Sequence, residues 1–460
     1  MHSTRRRFRS ASAIVLASIL SGSAQAVSLT PLGVLEGDVY SDAAAISPDG
    51  STILGTSRSP TGGARIFIED RVNGMRAVPG VWPDEGDVAV GMSDDGSIVA
   101  GNSGVSAFIW HEAHGPRALV LVDGQVTLDG DPGNAPYIPL LNATGLSSDG
   151  STVVGRSENG AFVWDAENGI RDLGGLPTGR FPYPTGVSAD GSIVVGVDRI
   201  DGGDGAFIWD SANGMRPLGS LPGGDGTGWA TAVSDSGSHV VGVSASAFGV
   251  EAFLWDAVNG MQGLGDLPGG VGLGDFFLST ATDVSADGKV VVGIGFADDG
   301  YKTFVWDAEH GMRDLEVMLR TMGVDLSGWR LNLDPNYSEF PKISADGRTI
   351  VAIGEYNGER ASYRVVIPEP ASAALLVLGL SWLGATAGWR SAAARRAREE
   401  TLTASGFRSE PHPPHSSSPC PDGSRNLRTR AVAPPSVASS APSARSIVGP
   451  CAPRVGSRSA

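Results

Sequence analysis

The chain has 460 residues, 65 of them glycine, with 18% charged residues and a formal net charge of −16. That charge is unevenly held: residues 27–366 carry 45 Asp or Glu against 19 Lys or Arg, while the two ends are basic. So acidic a segment disfavours nucleic acid and anionic membrane surfaces as its partners, and is compatible with cationic ligands or divalent ions. Both cysteines, Cys420 and Cys451, lie near the C-terminus. The acidic segment therefore has no disulfide, no thiol nucleophile and no cysteine zinc site, and its own core must hold it.

In chain order, a basic stretch comes first, with Arg5, Arg6, Arg7 and Arg9. An apolar run from Ala11 to Leu20 and small residues ending Ala24-Gln25-Ala26 follow. A charged region, a short apolar region and an A-x-A site make a secretory signal peptide. Residues 1–26 are expected to be removed after export, with cleavage after Ala26.

From Val27 to Val366 the sequence repeats. A full copy begins at Thr185 with T-G-V-S-A-D-G-S-I-V-V-G and continues G-A-F-I-W-D-S-A-N-G-M-R-P-L-G-S-L-P-G-G. Its Ser-x-Asp-Gly turn recurs at Asp49, Asp95, Asp149, Asp190, Asp287 and Asp346, with a degraded copy at Ser236-Gly237, so seven units stand 41–59 residues apart. An aromatic pair keeps step: Phe108/Trp110, Phe162/Trp164, Phe207/Trp209, Phe253/Trp255 and Phe304/Trp306, with Phe67 and Tyr363 as outer copies. Each unit predicts four short strands. Asp-Gly joins the first two, as turn residues flanked by β-formers do. The third strand, A-F-V-W-D in Ala161–Asp165, alternates, so Phe162 and Trp164 share one face and Val163 takes the other. An Asn-Gly turn, as at Asn168-Gly169, leads into the short fourth strand.

Four antiparallel strands per repeat suit a propeller blade, which gains an apolar neighbour on each side only by stacking around an axis. The ends support closure. Residues 28–33 look like a fourth strand without its first three, and residues 361–366 like a third strand without its fourth. Joined, they remove two open edges. The expectation is an all-β, seven-bladed β-propeller over residues 27–366, its N-terminal strand closing the last blade; an open β-solenoid or sandwich array is the rival. Two insertions break the symmetry, residues 119–140 and 314–342. In the second, Leu315, Met318, Leu319 and Met322 at i, i+3, i+4 and i+7 predict a short amphipathic helix stopped by Gly323, capping a blade edge.

Beyond Ile367 comes Pro368-Glu369-Pro370, then an apolar run from Ala371 to Trp389, then Arg390, Arg395, Arg396 and Arg398. Residues 371–389 are long enough to span a bilayer, and the arginines place the far end in the cytoplasm, with the repeats outside. Residues 399–460, rich in Ser, Pro, Ala and Arg without hydrophobic periodicity, are expected to be disordered.

Residues 367–398 resemble a PEP-CTERM sorting signal of Gram-negative bacteria. The resemblance implies an exosortase-like processing enzyme as partner and makes Pro368, Glu369 and Pro370 its recognition residues. This chain continues past the arginine cluster, where such signals usually end. The repeats resemble the HAF family of extracellular bacterial proteins, through V-S-A-D-G-x-x-V-V-G and L-G-x-L-P-G-G and through Ala-Phe at Ala107-Phe108, Ala161-Phe162, Ala206-Phe207 and Ala252-Phe253. The His of the family's His-Ala-Phe triplet is replaced by Ser106, Gly160, Gly205 and Glu251. The HAF resemblance implies an extracellular repeat protein and carries no established activity.

No catalytic or cofactor-binding residue stands out, and metal binding is left open. The recurrent aspartates are read as turn residues. Asp201-Gly202-Gly203-Asp204-Gly205 resembles a loose calcium loop but lacks the nonapeptide repetition or terminal Glu of true sites. His111, His114, His239 and His310 have no metal spacing, and the repeated Trp residues are read as core rather than sugar platforms. The expected function is a non-enzymatic surface or matrix scaffold. It would bind an extracellular polysaccharide or surface protein, anchored through residues 371–389 or released. The alternative is a propeller hydrolase or lyase acting on an extracellular polysaccharide or peptide.

Overall fold

A computed structural model of the chain describes residues 27–80, 88–103, 106–122, 125–129, 141–268, 277–333 and 340–367. The signal peptide at 1–26, the sorting residues Pro368, Glu369 and Pro370, the apolar run 371–389 and the tail 399–460 lie outside them. Among the described residues no helix is long and apolar enough to cross a membrane.

Each Ser-x-Asp-Gly turn is built by its own side chains. In the third unit, Ser147 Oγ donates to Asp149 Oδ1 (2.6 Å), which also accepts from the Ser151 amide (2.9 Å), while the Thr152 amide donates to Ser147 Oγ (2.9 Å). Gly150 takes φ 74°, and no aspartate of these turns has a positive φ. The same Ser–Asp bond recurs at Ser47, Ser93, Ser188, Ser285 and Ser344, and the degraded copy substitutes a contact between Ser234 and Ser236 hydroxyls at 3.0 Å. Between third and fourth strands, Asp165 Oδ1 accepts from the Asn168 amide (2.7 Å) and Asn168 Nδ2 (2.9 Å), and Arg171 holds Oδ2 at 2.6 Å.

These turns fold each unit into an antiparallel sheet. Units 1, 3 and 4 have four strands each; unit 3, for example, runs Asn142–Leu146, Thr152–Ser157, Gly160–Asp165 and Gly169–Asp172. Unit 2 gains a fifth, because its insertion continues the fourth strand as Gly115–Val122 and returns as Gln125–Asp129. Units 5 and 6 share one continuous sheet through a two-residue parallel bridge at Gly249 and Val250. The second-strand glycine of V-V-G has a steric cause. A Cβ at Gly155 would stand 2.2 Å from Asn142 O and 2.9 Å from Phe162 Cζ, so only glycine lets the third-strand Phe lie across the sheet.

Packing between units follows the alternation. Phe162 and Trp164 pack with Ala100 and Ala107 of the preceding unit, whereas Val154 and Val163 pack with Phe207 and Trp209 of the next. Seven such clusters link unit 1 to 2 and onward, ending with Val351 of unit 7 against Ile53 and Phe67 of unit 1. The innermost strands likewise adjoin in cyclic order, the last touching the first. Sheets set radially around a common axis in this way make a β-propeller.

The expected closure is present. Ser28–Pro31 pairs antiparallel with Tyr363–Val366, and the Leu32 amide donates to Ser362 O at 3.0 Å. Arg364 makes a two-pronged contact with Glu69 (3.0 and 3.1 Å), and Arg360 pairs with Asp42, tying unit 7 to unit 1. The helix occupies Leu315–Thr321, with Asp314 accepting from the Glu316 and Val317 amides at its start. Leu315, Met318 and Leu319 enter the cluster between units 6 and 7. Met322, expected on that stripe, is instead 45% exposed, because the helix has already ended.

Candidate functional site

The first strand of units 1 to 6 carries a β-bulge three residues before the turn serine. The extra residue leaves the ladder and is re-aimed. In units 4, 5 and 6 it is a threonine whose hydroxyl donates to the next unit's innermost strand or the residue just before it: Thr185 to Ala230 O (2.8 Å), Thr231 to Ala281 O (2.7 Å) and Thr282 to Pro341 O (2.7 Å). The bulges thus latch unit to unit around the axis. Inside the latches lies a wide cavity of about 990 Å³ whose lining draws on all seven first strands, from Ala44 through Asn142, Trp229 and Thr282 to Lys342. A constriction of about 170 Å³ continues towards the Asp-Gly turns.

The constriction holds charges that the repeat pattern does not predict. Two residues before the turn serine stand Ala45, Gly91, Gly145, Gly186 and Ala232, but Asp283 and Lys342 in the last two units. Asp283 accepts from the Val284 amide (3.0 Å) and the Ile343 amide (2.9 Å). Burial raises its pKa, partly offset by Lys342. Asp235, one residue after its turn serine, lines the same constriction. Burial, then the charges of Asp283 and Asp94, push its pKa up to about 6. A carboxylate whose folded pKa exceeds its unfolded value favours the fold below about pH 4, and that contribution is lost as pH rises through 6. Asp235→Asn should therefore stabilise the protein at pH 7.5 by roughly 1–3 kcal/mol, with the difference vanishing near pH 4. Urea denaturation at the two pH values checks this; an equal effect at both would mean that Asp235 is not penalised by its charge.

The residues singled out in the sequence are mostly occupied elsewhere. Hydrogen bonds from Ser51 and Ser47 hold Asp49 below the usual carboxylate range, and Ser192 and Ser188 do the same for Asp190. Asp201 pairs with Arg180 (2.9 Å), and Asp204 with Arg199 (3.4 Å) and the Trp229 indole (3.1 Å), so the glycine-rich acidic loop is a hairpin tip with internal partners. Among the described residues no group of three or more His, Cys, Asp or Glu could hold a metal ion. His310 takes the turn asparagine's place, its Nδ1 2.8 Å from Asp307, and the rings of His111 and His114 lie 5.0 Å apart. Trp110, Trp164 and Trp209 are 5–7% exposed and belong to the interfaces, with Trp255 and Trp306 half-buried against theirs.

Two clamps and the cavity's rim went unforeseen. Fully buried Asp198 accepts from the Leu176, Arg180 and Phe181 amides at 2.9–3.0 Å, fixing the link into unit 4, and Glu251 accepts from the Gly265 amide at 3.0 Å. The rim residues Tyr183, Trp229 and Phe340 are 39, 48 and 50% exposed. Their signal was available as the departure of single positions from an otherwise regular repeat.

A closed ring of antiparallel sheets around a narrowing axial cavity defines the class as a β-propeller. A scan against protein families finds no match, and neither does a search of curated proteins. Among solved structures the chain is similar to TolB from Acinetobacter baumannii, with 14% identity and TM-score 0.37, covering 70% of this chain but 65% of that one. It is also similar to an oligogalacturonate lyase from Vibrio parahaemolyticus, with 13% identity, TM-score 0.45, and 75% and 94% coverage. A third is the Swd1 β-propeller domain from Myceliophteria thermophila, with 11% identity, TM-score 0.42, and 72% and 98% coverage. Superpositions this loose transfer no function to the chain.

Proposed function

We propose that the chain is an exported, non-enzymatic binding scaffold that presents the open end of a rigid ring to an extracellular polysaccharide or surface protein. The observation that carries this is where the carboxylates go: the repeated aspartates are acceptors inside their own turns, leaving the variable groups gathered on the axis. Export and retention rest on the sequence signals, namely the signal peptide at 1–26, Pro368-Glu369-Pro370, the apolar run 371–389 and the arginines beyond it. An exosortase-like enzyme is the partner that would recognise Pro368, Glu369 and Pro370 and either release the ring or leave it at the cell surface.

Fractionation of a Gram-negative host expressing the full chain, with intact-mass measurement, tests the assignment. Mature surface or released protein should begin near Val27 and end near Pro370 where an exosortase-like enzyme is present, and stay membrane-bound with its repeats in the periplasm where it is absent. Mature surface protein that keeps its C-terminal end would overturn the processing. A second reading, a hydrolase or lyase, draws on Asp235, whose pKa of about 6 suits a proton donor. It requires new chain ends when the protein is incubated with extracellular polysaccharides or peptides, and their loss in Asp235→Asn; the scaffold reading requires none.

A further inference from the structure

The axial cavity has more to say about its occupant. Exposed apolar side chains scattered singly are ordinary, but several gathered at one place mark a surface that something covers. Among the described residues the exposed ones are Phe181, Tyr183, Trp229, Phe248, Phe340 and Tyr356, and three of these, Tyr183, Trp229 and Phe340, line this one cavity. Two of them are held in place rather than left loose. The Trp229 indole N–H donates to Asp204 Oδ2 at 3.1 Å, and the Arg156 guanidinium stands over the Tyr183 ring at 5.6 Å.

The rim is also where the repeat varies. Five residues before the turn serine stand Val88, Asn142, Tyr183, Trp229 and Thr280 in units 2 to 6, and every one of them lines the cavity. Variable side chains on a repeated frame are how scaffolds carry recognition. At about 990 Å³ the space is at the upper end of ligand clefts, which run roughly 300–1,000 Å³.

Chemistry narrows the ligand. Besides the aromatic faces, the lining offers the Asn142 amide and the Thr280 hydroxyl, the Asn102 amide and the Thr185 and Thr231 hydroxyls being bonded to backbone, with Lys342 as its one charged side chain. Lys342 stands near the opposite charge of Asp283, whose ionised form it favours, so the lining itself gives little reward to a strongly ionic ligand. An extended peptide would dock by adding to a strand edge. Here the innermost-strand carbonyls of Ala230 and Ala281, and that of Pro341 just before the last such strand, are taken by threonines of the preceding units. What remains is flat apolar faces beside uncharged donors and acceptors, which matches the sugar ring: an apolar C–H face bordered by hydroxyls.

We infer that the wide axial cavity binds a segment of neutral oligosaccharide, with Trp229 and Tyr183 as stacking platforms and Asn142 as a hydrogen-bonding side chain. This rests on the scaffold reading and names its ligand class. The test is tryptophan-fluorescence titration and calorimetry of the full chain with cellohexaose, mannohexaose and the N-acetylglucosamine hexamer, and with neutral and basic hexapeptides. At least one hexasaccharide should bind saturably. Trp229→Ala should weaken it tenfold or more and Tyr183→Ala severalfold, Trp229→Phe should keep most of the affinity, and Phe248→Ala, exposed but outside the cavity, should change nothing. Failure of all three sugars to bind, undiminished affinity in Trp229→Ala, or displacement of the sugar by a peptide would overturn the assignment. Cleavage of a bound hexasaccharide would overturn the non-enzymatic scaffold and leave the site standing; correct export and retention without saccharide binding would do the reverse.

Discussion

Removing residues 28–33 from the full chain should cost more stability than any single substitution considered above. The strand Ser28–Pro31 is the outer edge of the last sheet, and Leu32 beyond it is buried against unit 1. Its loss breaks a four-residue ladder, forfeits the burial of Leu29 and Leu32 and uncovers the core they pack against, on the order of 4–8 kcal/mol from the usual worth of hydrogen bonds and buried leucines. The denaturation midpoint should fall sharply, and amide exchange should rise first in Tyr363–Val366, the strand left with an open edge. An unchanged midpoint would mean that the ring does not depend on its N-terminal strand for closure.

Trp209→Ala should destabilise the protein by roughly 3–5 kcal/mol, the cost of deleting a large aromatic from a packed interior. Trp209 is 7% exposed and packs with Val154, Val163 and Leu173 of unit 3, so the cavity left behind sits in the interface between two units. Denaturation curves measure this. Saccharide binding by the folded fraction should be unaffected, because Trp209 lies outside the axial lining; lost binding with intact stability would show that it is a platform rather than core.

The two tryptophans mark what the sequence made legible. Trp209 belongs to a repeated pattern, and repetition of an alternating strand reveals both its face and its burial. The Ser-x-Asp-Gly turns were legible for the same reason: their hydrogen bonds join residues two to five apart, so the geometry is encoded locally. Closure could be read because each end of the segment supplied the strand the other lacked. Trp229 was not legible. Its environment depends on the first strands of six other units and on a bulge whose register no local pattern announces. Asp235, Asp283 and Lys342 converge only because three units meet at the axis, and Asp198 finds its amide partners 17–22 residues back along the chain. Departures from the repeat pointed to these residues; only the ring says what they face.

The last sheet also decides how the ring bears a load. Residue 27 and residue 367 leave it side by side, since Ser28 is paired with Val366. A pull applied through Ile367 enters along the strand Glu359–Val366, which is flanked by Thr349–Tyr356 on one edge and Ser28–Pro31 on the other. Ladder bonds run perpendicular to their strands, so such a pull strains many of them at once in shear, instead of peeling them one by one. A ring held by its C-terminal end would thus be gripped at a strand braced on both edges, and the load would be spread across the sheet.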